Sequence, residues 1–275
     1  MAAGVVVLGV MAFVVARFVI YRDTTTALGP NTALNRYRAS TSVPVAVAST
    51  TVPVEVASTV ATSTASTAAP AIRLPPPGVY RYTTTGQEHV DALGGTTHAY
   101  PPTTTVTITP GGCGEQARWD VLQERWMSRQ LCIGTGGIVT GAYTDFHRFY
   151  GQDDRADWTC QPPYVLVPSV TTPGASWAGA CVDRSDQEDT SISVIGQEPV
   201  TVGGQTIDAV HIQRVEKDHD KGSSALSTTD QWFDPSDGLV LRETESSTST
   251  TSSLVGDVHY DEHYELDLVS LQPEQ

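Results

Sequence analysis

The sequence is short of positive charge, of helical periodicity and of cysteine, and each shortage closes off a class of function. Sixteen Lys and Arg stand against 31 Asp and Glu, a formal charge of −15 at pH 7. Residues 1 to 71 hold Arg17, Arg22, Arg36 and Arg38 against Asp23 and Glu55, a surplus of +2, so the rest of the chain carries −17. A surface this acidic repels phosphate backbones and anionic headgroups, which argues against nucleic acid and against a polybasic membrane contact. Beyond Pro77 no run keeps a helical period for more than a couple of turns, which points to a β fold. No cysteine precedes Cys113, so none follows the N-terminal apolar run to carry a lipid. No C-x-x-C pair suggests zinc, and no glycine-rich loop opens a helix to cradle phosphate.

Residues 2 to 21, "AAGVVVLGVMAFVVARFVIY", are apolar except for Arg17 and are about as long as a bilayer-crossing helix. A basic n-region and an A-x-A-like cleavage site are not evident, so the sequence predicts an uncleaved transmembrane signal-anchor over 1–23. The arginines after the run would put the bulk of the chain in the cytoplasm. The cysteines argue for the opposite side: Cys113, Cys132, Cys160 and Cys181 suit two disulfides and an oxidising compartment. The expected localisation is the cell membrane, single-pass, with the bulk extracytoplasmic. Residues 24–77, rich in Thr, Ser, Ala and Pro, have too little apolar surface to offset ordering entropy and read as a disordered linker that holds the domain away from the membrane. Residues 78–275 then form the extracytoplasmic β domain.

In that domain short β-rich runs are punctuated by turn signals: "LGG" at 93–95, "PGG" at 110–112, "GTGG" at 134–137, "VGG" at 202–204 and "DPSDG" at 234–238. Candidate strands fall at 78–85, 87–92, 96–100, 103–109, 115–122, 125–133, 138–150, 179–184, 191–195, 198–202, 205–216, 224–233, 239–252 and 256–271. So many strands with short turns predict a mainly β fold, a single strongly curved antiparallel meander, half-barrel or barrel-like, that limits its exposed edges. Trp232 and the Leu239, Leu241 side of the next strand are expected in its interior.

In "CGEQARWDVLQERWMSRQLC" the positions of Cys113 and Cys132, Trp119 and Trp126, and Asp120 and Arg125 each sum to 245, the constant sum of antiparallel partners. One register would then oppose a disulfide, an aromatic pair and an ion pair. Cys160 and Cys181 would close the proline-rich loop "QPPYVLVPSVTTPGASWAGA".

The closing stretch "GDVHYDEHYELDLVSLQP" looks at first like a metal site. Strand alternation instead puts Val258, Tyr260, Tyr264, Leu266 and Leu268 on one face and Asp257, His259, Asp261, His263, Glu265 and Asp267 on the solvent face. His259 and His263 are then about 13 Å apart, too far for one ion. Glu262 breaks the pattern by pointing with the tyrosines. Ser176 in "GASWAG" lacks the second glycine and the strand-to-helix setting of a nucleophile elbow. His219 in "VEKDHDKG" reads as a hairpin tip, and the acidic "DDRAD" (153–157) and "DRSDQED" (183–189) read as solvated turns without calcium-loop spacing. No catalytic, cofactor or metal-binding residue is singled out.

Val202, Gly203, Gly204, Trp232, Pro235, Gly238, Leu239, Val240 and Arg242 lie in a "V-x-V-G-G" strand pair followed by a "W-x-x-P-x-x-G-L-V-x-R" hairpin. Over residues 194–271 this resembles the C-terminal meander of the bacterial lipoprotein-carrier and lipoprotein-transport superfamily. The Arg-over-Lys bias and the Thr/Ala-rich linker look actinobacterial. The resemblance implies a curved sheet around an apolar cavity that receives acyl chains. The function expected is that of a non-enzymatic, membrane-tethered domain binding an apolar or lipidic envelope component. The alternative is a structural or protein-interaction module with a filled core. The expected partners are the membrane, through the N-terminal helix, and a lipid or an envelope protein, with no cofactor.

Overall fold

A computed structural model of the chain describes residues 23–42, 72–184, 186–220, 222–253 and 256–275. Thirteen strands run in chain order: β1 (Gly78–Val90), β2 (Thr96–Ala99), β3 (Thr103–Gly111), β4 (Gly114–Asp120), β5 (Arg125–Gly134), β6 (Gly137–Phe149), β7 (Gln152–Pro168), β8 (Ser176–Asp183), β9 (Asp186–Val202), β10 (Gln205–Asp220), β11 (Ser223–Phe233), β12 (Val240–Ser253) and β13 (Gly256–Leu268). Each pairs antiparallel with its sequence neighbour from β3 to β13, and β13 returns to β1 from Tyr82↔Leu268 to Val90↔Tyr260. β2 and β3, separated by Pro101 and Pro102, share the other edge of β1, facing Gln87–Val90 and Gly78–Thr83. The result is a closed barrel of twelve strand positions rather than an open meander. Closure pairs both edges that an open sheet would leave free.

Three expectations need correcting. The β4–β5 ladder pairs Trp119 with Met127 and Asp120 with Trp126, a sum of 246, one residue off the register read from the sequence. Because strand faces alternate, that slip separates the two tryptophans. Trp119 is buried, whereas Trp126 stacks on Phe146 with the Arg118 guanidinium 3.8 Å above its ring. Asp120 is held by Arg118 at 2.9 Å, not by Arg125. Cys113 and Cys132 are still joined, since Cys113 sits in the turn beyond the ladder.

Second, the acidic "DDRAD" and the first part of the proline-rich segment, through Pro168, belong to one long strand, β7. Its ladder to β6 jumps from Thr140↔Tyr164 to Ala142↔Thr159 and leaves residues 160–163 in a bulge, the place where a strand accepts Pro162 and Pro163. β8 pairs with β7 only through Thr159↔Val182 and Cys160↔Cys181, and the second disulfide fastens this thin seam.

Third, part of the expected linker is ordered. Residues Pro30–Thr41 form α1, with Pro30 at its start and Ala33 and Tyr37 buried against Val79 of β1. Arg38 donates to the Gln275 carbonyl at 2.9 Å. The chain before α1 makes an isolated bridge, Ala27↔Leu122, and Thr26 donates its N–H to Glu124 at 2.8 Å. The apolar run 2–21 and residues 43–71 of the linker lie outside the described residues. Among the described residues no helix is long and apolar enough to cross a membrane.

One half of the barrel is packed. Tyr82, Ile108, Trp119, Ile138, Val167, Ile212, Phe233, Leu241 and Leu266 are all buried there. Residues 72–77 cover that end, with the Arg73 N–H bonded to Ser236 O at 3.1 Å. The 234–238 turn ends at Gly238, whose φ is 70° and whose missing Cβ leaves room for Ile138. Leu239 and Leu241 are buried as expected, but Phe233 takes the inward place on β11. Trp232 lies on the opposite face, half-buried and stacked on His211 at 4.2 Å.

Candidate functional site: the polar half of the lumen

The other half of the lumen is charged. Alternation turns Glu88 of β1, Arg125 and Arg129 of β5, Tyr143, Asp145 and His147 of β6, Glu188 of β9, Arg214 and Glu216 of β10, Glu243 and Glu245 of β12, and Tyr260 and Glu262 of β13 away from bulk solvent. The space they leave is a cavity of about 340 Å³. It opens among the ends of β6, β7, β11, β12 and β13, where Phe149, Asp154, Ala225, Thr251 and Val258 ring the mouth.

One wall is an alternating ion network. Arg125, 1% exposed, grips Glu262 in bidentate fashion, with Nε to Oε1 and Nη2 to Oε2 both at 3.0 Å, and its Nη1 holds Asp145. Tyr260 donates to Glu262 at 2.9 Å, and Tyr100 donates to the same carboxylate. His147 bridges Asp145 at 3.2 Å and Glu88 at 2.8 Å. Glu88 also accepts from His98 at 2.7 Å, and His98 reaches Asp23 at 2.9 Å. Asp23 in turn accepts the Tyr150 N–H at 3.1 Å, at the turn after β6. Every base here lies between two acids.

These contacts set the protonation states. Burial pushes the Glu88 carboxyl up, but hydrogen bonds from His147 and His98 outweigh it and bring the pKa down to about 2. Burial and the Arg125 charge press His147 down, yet Asp145 and Glu88 raise it to about 10. His98 is raised as well, its burial outweighed by Glu88 and Asp23. Asp145 is lowered by Arg125 and His147 against its burial. A third of the Asp145 side chain is accessible, on the cavity side.

The opposite wall is less balanced. Glu188 accepts from Thr190 at 3.3 Å and from Tyr143, and Glu243 accepts from Tyr264 at 2.6 Å and Gln231 at 2.7 Å. Glu245 lies 2.9 Å from the oxygen of the same Tyr264 hydroxyl. Burial, with Glu216 nearby, pushes Glu188 up to about 8, and burial with Glu262, Glu243 and Glu216 does the same for Glu245.

Where the two halves meet, the polar cavity and an apolar pocket of about 100 Å³ share Met127, Arg129 and Arg214 as lining residues. The smaller pocket is walled by side chains such as Val106, Trp119, Leu131, Leu166 and Phe233.

The residues weighed from sequence lie elsewhere. His259 and His263 are exposed on the outer face of β13, and Ser176 is exposed at the start of β8. The His219 side chain lies outside the described residues. All four cysteines are in the two disulfides. Sequence reasoning missed the lumen, although one of its signals was on view: Glu262, the acid out of step with its strand, is the Arg125 partner.

No protein family and no curated protein matches the chain. Two solved structures are similar to it. The hypothetical lipoprotein YmcC from Escherichia coli is 12% identical, with 66% of this chain and 85% of that one covered and a TM-score of 0.30. A lipoprotein-type structure from Parabacteroides distasonis is 11% identical, with 71% and 97% covered and a TM-score of 0.28. At these scores nothing about ligand or activity follows.

Proposed function

We propose that the chain is a membrane-tethered extracytoplasmic binding protein, not an enzyme, whose barrel takes one envelope component into its lumen. The observation that carries this reading is the open polar cavity of about 340 Å³ beside an apolar pocket that shares Met127, Arg129 and Arg214 with it. Of the apolar or lipidic component expected from sequence, a lumen with those two parts suits the lipidic, amphiphilic kind better. The two disulfides support an oxidising compartment. His147 keeps its proton at neutral pH and the cysteines are oxidised, so neither serves as base or nucleophile.

The ordered N-terminal segment also orients the barrel. Asp23 is fixed at the mouth by His98 and Tyr150, and consecutive Cα atoms are about 3.8 Å apart. The apolar run ends at Tyr21, two residues before Asp23 in the sequence. In this reading the mouth faces the membrane at close range, instead of being held off by a long tether.

The packed apolar half favours one alternative, a structural or protein-interaction module without a small ligand. Mass spectrometry of organic extracts from the full chain, purified in mild detergent, separates the two. A co-purifying amphiphile near one per chain is expected. An empty extract, with no uptake of added amphiphiles, would leave the module reading.

A further inference from the structure

Three arginines face the lumen, and their surroundings differ. Arg125 has its donors occupied by Glu262 and Asp145. Arg214, 2% exposed, has Nη1 without a hydrogen-bond partner. Its Nε lies 2.9 Å from Glu216 but out of line for a hydrogen bond, and Nη2 reaches only Thr229 at 3.3 Å. Arg129, 9% exposed, lies 5.1 Å over the Tyr143 ring, and the hydrogen bond found for its guanidinium is a 4.0 Å contact to the Met127 sulfur. The Tyr164 hydroxyl, 4% exposed, is also unpartnered. Buried donors left unmade are costly, and guanidinium donors most of all.

Arg129 and Arg214 both line the polar cavity and the apolar pocket, at their junction. We infer that the pair is a seat for the anionic end of an amphiphile, a carboxylate or phosphate monoester whose apolar tail enters the pocket lined by Trp119, Leu131 and Phe233. This rests on the lumen being a binding site and adds the chemistry of the ligand. A planar, forked guanidinium suits either oxyanion.

The acids nearby do not block such a ligand. Glu243 is engaged by Tyr264 and Gln231, and Glu216 lies on the Nε side of Arg214. Burial and the neighbouring acids raise Glu188 and Glu245 well above the usual carboxylate range, which weakens their opposition to an incoming anion.

The test is calorimetric titration of the full chain, in a detergent that does not itself compete, with octanoate, octyl phosphate, octan-1-ol and inorganic phosphate. An octyl anion should bind more than about tenfold tighter than octan-1-ol, the scale of a charge-assisted hydrogen bond at a buried donor. Inorganic phosphate alone should bind weakly, because it leaves the apolar pocket empty. In Arg129→Gln the advantage over octan-1-ol should disappear, and in Arg129→Lys it should survive in part. The comparison of anion with alcohol reads on the unaltered chain, so misfolding of a variant does not shelter the idea. Equal binding of octanoate and octan-1-ol would overturn the anion seat while leaving the lumen a binding site, and inorganic phosphate binding as tightly as octyl phosphate would overturn the amphiphile. If no octyl compound binds, the binding function itself falls.

Discussion

Replacing Glu262 by Leu is the sharpest test of how the lumen is held together. Glu262 is 3% exposed and Arg125 1%, and two of the guanidinium's hydrogen bonds, both at 3.0 Å, end on this one carboxylate. In Glu262→Leu the guanidinium keeps Asp145 and a weak 3.3 Å bond to the Trp126 carbonyl. Tyr100 loses the acceptor the structure gives it, and Tyr260 keeps Glu88 at 3.2 Å. Removing one member of a buried pair costs about 3–5 kcal/mol, mostly because the remaining charge is left dry. For a domain of this size 1 kcal/mol moves Tm by about 2–4 °C, so a drop of roughly 6–20 °C is expected. Arg125→Met with Glu262→Leu removes both charges and should recover much of the loss, giving a coupling of at least about 2 kcal/mol in the cycle. Urea unfolding followed by tryptophan fluorescence measures all four corners. A single-mutant loss below about 1 kcal/mol, or a double mutant equal to the sum of the singles, would refute the account of Glu262 as the arginine's principal partner.

Two further outcomes follow from the same interior. Stability should peak in mildly acid solution and fall as pH rises. Glu188 and Glu245, raised from 4.5 to about 8, and His147, raised from 6.5 to about 10, each make the folded chain bind more protons than the unfolded one across those intervals. Glu88, lowered from 4.5 to about 2, gives the acid-side decline as its stabilisation is lost toward pH 2. Differential scanning fluorimetry from pH 3 to pH 10 reads this directly, and a Tm that climbs from pH 5 to pH 9 would contradict it. Cys160→Ser with Cys181→Ser opens a loop of sequence separation 21 and should cost about 3 kcal/mol, seen as a lower urea midpoint, with the β7–β8 seam the first to exchange its amide hydrogens.

Much of the wall was legible because Gly, Pro and Asp turn signals mark where strands stop, and inward and outward residues of β13 follow strict alternation. Closure into a barrel was not legible, since nothing local in β1 or β13 states that Tyr82 pairs with Leu268. β7 was missed because Pro162 and Pro163 read as breakers, and a bulge absorbs both. The β4–β5 register slipped because Cys113 counts as a partner in the sequence but lies in the turn. α1 was hidden in a low-complexity setting, where its contacts with Val79 and Gln275 make "PNTALNRYRAST" a docked helix. The lumen was hardest to see. An inward Arg125 or Asp145 obeys the same period-two pattern as an outward charge, and only knowledge of which face is closed tells them apart.

The width of the barrel bears on why those charges are there. Eight strands enclose a space that side chains can fill, and more strands leave a lumen. Twelve positions here are narrowed at one end by aromatics such as Tyr82, Trp119 and Phe233, which leave only the small apolar pocket between them. At the other end Arg125, Arg129 and Arg214 extend inward among acids and leave it partly open. Filling that half with apolar side chains would be neutral or stabilising by general experience with buried ion pairs. A module that only needed a rigid wall would gain from such filling and would lose nothing by it. The Arg125 network can be read as a structural device, since its members are matched. Arg129, set over Tyr143 with no carboxylate partner among the described residues, and Arg214, beside Glu216 but with Nη1 unbonded, are less fully matched. The proposed anionic ligand would complete them.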